Sequence, residues 1–288
     1  MLKHLPIALV VAALPWVPAW AASSASARLD PLAVELIDLN PGDGVAPWMQ
    51  LAGGSYGSYA SASASDPTVG TSTETRWSLL PWGPAAASAW VGLSQAAASV
   101  GGDVAGGSGA MTAGGSTLGS LWPGNAGSFN ATAEAPYSFS SFTLSPYTLL
   151  VVSGTANLLA QTTIGLDPVT WTSEYANASV QLSVQGPAAG GGGTQGSNDN
   201  RYVSASWTTE WDPYTGEPVY SGMSQSFSDQ LLAVSFTNFT AGPMSGNLQV
   251  AVSASGNSAL APVPEVETWA LMLAGLGAIG WVAQRRRR

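Results

Sequence analysis

Cysteine is absent from the chain, and lysine and histidine occur once each, side by side at Lys3 and His4. Past residue 4 the sequence therefore has no thiol, no imidazole and no amine side chain. No Ser-His-Asp or Cys-His arrangement can be built from what remains. A zinc site of the usual His/Cys kind is excluded, as are a phosphate-loop lysine and a Schiff-base lysine. Disulfides are excluded too, but a chain of 288 residues is long enough to bury a core without them. Positive charge is equally scarce. Between Ala22 and Pro264 three arginines, Arg28, Arg76 and Arg201, stand against fifteen carboxylates, a net charge of −12. That balance repels phosphate backbones, so nucleic acid is not an expected partner.

Long apolar runs occur only at the two ends. Residues 1–21 read as a secretory signal peptide: Lys3 supplies the positive start, Leu5 to Val17 the apolar centre, and Ala19-Trp20-Ala21 a small-x-small cleavage site. Signal peptidase is expected to cut after Ala21. At the other end, Pro262 to Arg288 falls into three zones. A proline-bearing acidic stretch comes first, then an uncharged apolar run from Thr268 to Ala283, then Gln284 and four arginines. The run has no polar face, and it predicts a membrane helix over residues 268–283, just long enough to span. Trp269 and Trp281 are the expected interfacial anchors. Arg285, Arg286, Arg287 and Arg288 hold the C-terminus on the cytoplasmic side, leaving everything before Thr268 across the inner membrane.

These residues closely resemble the PEP-CTERM sorting signal of Gram-negative bacteria. The matching parts are Val263-Pro264-Glu265, the apolar run Thr268 to Gly277, and the terminal arginines. Val266 stands where the family usually has its second proline. The resemblance implies that the chain is a substrate of exosortase, a membrane transpeptidase that reads such tails near Pro264 and Glu265. It implies a route through the export machinery and the inner membrane to the cell surface or a biofilm matrix. Within the tail, Gly275 to Gly280 spells a G-x-G-x-x-G, but only eight residues follow it and four are arginine. A dinucleotide site needs a helix and an acidic residue further on, so the match is discarded.

The segment between the ends reads as all-β. Ala176, Ala178, Val180, Leu182 and Val184 alternate with polar residues, as do Leu248, Val250, Val252 and Ala254, and again Leu232, Val234 and Phe236. Period two with one apolar face predicts strands half-buried on a core. Further strands are expected within Leu32–Leu39, Pro47–Leu51, Thr75–Leu80, Tyr137–Leu144, Leu149–Leu159 and Tyr202–Trp207. Alanine content admits a helix over Ala85–Val100, against which Gly92 and the serines argue. The glycine run from Gly190, continuing to Asn200, reads as a flexible loop. The expectation is one antiparallel β-sandwich or jelly-roll-like exposed domain over residues 28–256, with a tether over 257–263 and the tail from 264 to 288. Ile37–Gly44, Phe142–Pro146 and Leu232–Asn238 also resemble stretches of the exposed domains of PEP-CTERM proteins, which names a route and not an activity.

Candidate sites are few. Glu210, Asp212 and Glu217 cluster with Trp211 and Tyr214, and with Glu174 they are the only carboxylates that invite a two-carboxylate glycosidase reading. The competing reading is a hairpin loop with charged lips, since Asp-Pro and Thr-Gly form turns. Asp38, Asn40 and Asp43 offer oxygen ligands for weak Ca²⁺ binding, as do Asn198, Asp199 and Asn200. Neither set has an EF-hand's spacing, and Asx turns explain both. Eight tryptophans lie in the expected exposed domain: Trp48, Trp77, Trp82, Trp90, Trp122, Trp171, Trp207 and Trp211. Most are expected in the core, with some available as a carbohydrate platform. The functional expectation is a non-catalytic structural or adhesive protein of the surface or exopolymer matrix, with no required cofactor. The alternatives are an exopolysaccharide-binding module and, behind it, a carboxylate glycoside hydrolase.

Overall fold

The computed structural model describes residues 22–51, 57–80, 82–104, 106–119, 126–136, 140–164, 166, 171, 173–188 and 192–258. They form sixteen strands and no helix: β1 Ala22–Asp38, β2 Met49–Leu51, β3 Ser58–Asp66, β4 Gly70–Ser78, β5 Ala85–Val91, β6 Ser94–Gly101, β7 Gly109–Leu118, β8 Ser128–Glu134, β9 Ser140–Leu144, β10 Thr148–Thr162, β11 Tyr175–Pro187, β12 Thr194–Ala205, β13 Trp207–Trp211, β14 Pro218–Gly222, β15 Ser224–Asn238 and β16 Met244–Asn257. The expected signal peptide and the tail with its expected membrane helix lie outside the described residues.

All pairings between strands are antiparallel. One sheet has the order β15-β10-β1-β7-β6-β5. The other runs β12-β11-β16-β8-β3-β4, with β9 beside β16 and β2 beside β9, and β13-β14 form a separate ribbon. The two large sheets face each other across one core. Period-two alternation explains the strands directly. Ala176 to Val184 in β11, Leu248 to Ala254 in β16 and Leu232 to Phe236 in β15 bury the side chains that the sequence marks as apolar.

Ala85–Val100, where Gly92 and the serines argue against a helix, is a hairpin of β5 and β6, in which Ala85, Ala87, Ala89, Ala96 and Ala98 all point into the core. Gly92, with φ 54°, makes the turn between them, a conformation open to glycine. One expectation is corrected here: the stretch after the glycine run is not a loop. Thr194 onward is β12, paired with β11 through Thr194–Ala205.

The core itself is uneven. Around β3, β5, β6 and β8 it is built almost wholly of alanine: Ala60, Ala62 and Ala64 with Ala131 and Ala133 on one sheet face the alanines of β5 and β6 on the other. Around β9, β10, β11, β15 and β16 it holds leucine, valine and phenylalanine, with Phe142 and Phe236 meeting edge to face at 5.3 Å. The alanine half leaves no room for an indole. None of the described tryptophans is buried, and the expected core role for most of them is overturned. On the outside of β3 and β4, serine and threonine fill the polar positions and bond across strands, with Ser63 to Thr73 at 3.1 Å and Ser65 to Thr71 at 3.0 Å.

Candidate functional site

The sequence candidates do not come together. Glu174 is fully buried, and its Oε2 accepts the amides of Thr163 at 3.0 Å and Ile164 at 2.9 Å. It ties down the chain leaving β10 and does not open onto a groove. Asp212 sits in the β13-β14 turn, where Oδ1 accepts from the amides of Tyr214 and Thr215 at 2.7 and 3.3 Å. Glu210 lies on β13 beside it, and Glu217 closes the turn through its carbonyl, which accepts the Asp212 amide at 2.9 Å. The segment is the hairpin loop that its turn residues indicate.

The calcium candidates satisfy their own backbone. Asp38 Oδ1 accepts the Asn40 amide at 2.8 Å, and Asp43 Oδ1 accepts the Val45 amide at 2.8 Å. Asn198, Asp199 and Asn200 lie along β12, so the middle one points away from the other two. Among the described residues no group of three or more metal-ligating side chains converges. Ala19, Ala21, Pro264, Glu265, Trp269, Trp281 and Arg285 to Arg288 lie outside the described residues.

The site that does emerge was not singled out in the sequence. The outer face of the six-stranded sheet carries a groove of about 1080 Å³, lined by all six of its strands. Laid flat at ~4.8 Å per strand, the two edge strands would stand ~24 Å apart and could not share one groove. The sheet is curled, and the groove is its concave side. Two irregularities occur on strands that line it: β1 shifts register between Leu29 and Leu32, and β15 shifts opposite Ala156 and Leu158. Such bulges bend a strand and sharpen its twist. In β15 the bulged segment holds Asp229 at φ 54°, and its amide donates to Asn157 Oδ1 at 3.1 Å.

Register explains why the groove has depth. Ser88, Ala97, Gly114, Ser26, Leu159 and Ser226 form one cross-strand row over the six strands. Five of these six are small. The neighbouring row begins at Trp90, 74% exposed on β5, and continues through Gln95 and Ser116, whose side chains are bonded at 2.9 Å. On the other side stand Arg28 and Asn157, a cross-strand pair. Among the described residues, Arg28 is the only charged one of the lining, and its guanidinium is paired with Asp30 on the same strand. The described lining thus offers hydroxyls, amides and one exposed indole, and no carboxylate.

Sequence reasoning counted Trp90 among the tryptophans but had no way to place Ser26, Gly114 and Asn157 around it. Their common signal, a small or polar residue at an outward position of each strand, acquires meaning only once the pairing is known. No family model matches the chain, and neither a curated protein nor a solved structure does.

Proposed function

We propose that the chain is an exported protein, sorted by exosortase through its C-terminal tail, whose β-body serves a non-catalytic adhesive or structural role at the cell surface or in the exopolymer matrix. The observation that carries this reading is the three-zone tail, Pro262 to Arg288, on a chain that starts with a signal peptide. The fold is compatible with both processing steps. Strand β1 begins at Ala22, immediately after the expected signal cleavage, and the body's last described residue, Ser258, lies before Pro264. Cutting at both points would leave every described strand intact. We read the facing sheets as a jelly-roll-like sandwich displayed between a removable signal helix and a transient membrane helix.

A second reading, exopolysaccharide binding, is favoured by the exposed tryptophans and the curled face. The glycosidase reading finds less support, because Glu174 is buried and Asp212 is engaged with its own turn. Exosortase, signal peptidase and the inner membrane are the partners this function needs, with no cofactor and no nucleic acid. The test is fractionation of a host with and without exosortase. With the enzyme, the protein should reach the surface or medium; without it, the protein should stay in the inner membrane with its tail uncut. Identical fractionation in both hosts would refute sorting by exosortase.

A further inference from the structure

We propose that the concave face of the six-stranded sheet is a binding site for an uncharged glycan chain. The inference deepens the adhesive reading above, from which it takes the extracellular setting; the groove itself is argued from its own residues. Its chemistry has two parts. An indole at one lip, Trp90, presents a flat apolar surface to solvent at no cost in burial elsewhere. Along the floor and the opposite side lie short hydroxyl and amide side chains, Ser26, Ser116, Gln95 and Asn157 among them. Sugar rings have the complementary character, with apolar C–H faces that lie on aromatic rings and a rim of hydroxyls that both donate and accept. A pocket that is mostly apolar with a small number of placed polar groups is the usual form of a small-molecule site.

Charge selects among glycans. The only cation among the described lining residues, Arg28, is already neutralised by Asp30. A polyuronate would meet no free cation among them and would approach a domain of net charge −12. A polycation would find no carboxylate among the described residues of the groove. An uncharged chain meets neither obstacle. Along the strands the lining takes in Ser24 to Arg28 of β1 and Thr112 to Ser116 of β7, about 13 Å at the ~3.3 Å rise of a strand residue, so the trough holds a chain and is not a pocket for a single sugar. The bulge at Asp229 serves the same site. It bends the β15 lip, and it occupies Asn157 Oδ1, leaving the Asn157 Nδ2 group with no bond among the described residues. A strained non-glycine residue beside a binding face is where such strain is commonly kept.

Gly114 gives a clean way to close the groove. It faces outward in the middle of the floor, its φ is not in the left-handed region, and a Cβ there meets nothing nearer than the Ala25 carbonyl at 3.4 Å. Gly114→Phe should fill the trough without disturbing the core, and an aromatic residue suits a strand. The experiment is affinity electrophoresis of the full-length chain in mild detergent, through gels containing hydroxyethylcellulose, dextran, soluble starch or polygalacturonate. At least one neutral polymer should retard the protein. Trp90→Ala and Gly114→Phe should each weaken that retardation about tenfold, while Trp211→Ala, which lies outside the groove, should leave it unchanged. Circular dichroism of all three variants checks the fold. Any of the following would overturn the proposal: no retardation in any neutral gel, retardation only by polygalacturonate, or retardation that survives both groove variants. So would a dimer that Gly114→Phe abolishes, because a second copy of the chain would then be the occupant. None of these gels involves exosortase, so a failure here with a normally cut tail removes the groove and leaves the sorting reading in place.

Discussion

Asp66 joins the two sheets at their tips. It ends β3, and its Oδ1 accepts the Thr68 hydroxyl at 2.6 Å and the Thr68 amide at 2.9 Å. Its Oδ2 accepts the Leu93 amide at 3.2 Å, from the turn between β5 and β6. The Thr68 hydroxyl foremost, with the amides of Thr68, Leu93 and Val69, lowers the Asp66 pKa below the ordinary aspartate value, against the opposing effect of burial. A folded-state pKa below the unfolded value stabilises the protein above about pH 3.9, and that contribution is lost as pH falls through the lower folded value. Asp66→Ala should cost about 1–3 kcal/mol at pH 7. Its stability should also fall less than the wild type's between pH 5 and pH 2, as thermal melts would show. Gly92 is the other half of this contact. A Cβ there would stand 2.0 Å from Asp66 Oδ2, and φ is 54°. Gly92→Ala should therefore cost about 2 kcal/mol or more. Two adjacent glycines of β7 make a sharper comparison. Gly115 points inward, where a Cβ would lie 2.3 Å from the Phe129 ring and 2.6 Å from the Gln95 carbonyl; at Gly114, which points outward, a Cβ would make only ordinary contacts, the nearest the Ala25 carbonyl at 3.4 Å. Chemical denaturation should find Gly115→Ala destabilised by about 1–3 kcal/mol and Gly114→Ala within about 0.5 kcal/mol of wild type.

Open sheet edges invite pairing with other chains, and here the elements guard theirs with carboxylates. Edge strand β4 faces edge strand β5, and Glu74 accepts the Ser88 amide at 2.8 Å while Arg76, two residues along, holds its other oxygen. On the opposite side, β12 faces β15, where Asp199 accepts the Ala233 amide at 3.1 Å and is held by Arg201. The same Asp/Glu-x-Arg spacing serves both edges because residues two apart share a strand face. The Ser88 amide, followed by Arg76, lowers the Glu74 pKa. Removing both carboxylates, as Glu74→Ala with Asp199→Ala, should speed amide exchange at Ser88 and Ala233 and raise the tendency to aggregate; unchanged exchange at both amides would refute the edge role. This scale is also where the sequence was most and least legible. The valine and leucine strands β11, β15 and β16 announced themselves by alternation. The alanine strands β3, β5, β6 and β8 did not, because alanine favours helices and is small enough to pass for surface. β12 was obscured by its glycine and asparagine content. Pairing with β11 decides its structure, and local propensity does not.

Across the whole molecule the charge budget, the groove and the two ends belong to one account. A body with three arginines uses all three in ion pairs within their own strands, with Asp30, Glu74 and Asp199. None of the three is left to recruit a polyanion, which fits the proposed contact with neutral polymer. The proposed signal and tail can be read in the sequence because a membrane segment is written in consecutive residues. The groove was hidden because it is written across β1, β5, β6, β7, β10 and β15, one or two residues from each. The alanine-lined core has a related consequence: none of the described tryptophans is fully buried, Trp82 packs against the core from its margin, and Trp90 at the groove and Trp211 on the β13-β14 ribbon stand on the surface. The most direct test of the central claim, export followed by exosortase processing, is the intact mass of the protein recovered from the cell surface or medium, with sequencing of its terminal peptides. The account predicts an N-terminus at Ala22 and a C-terminus near Pro264 and Glu265, with no peptide from Trp269 onward. Surface protein that still carries its tail through Arg288 would contradict it.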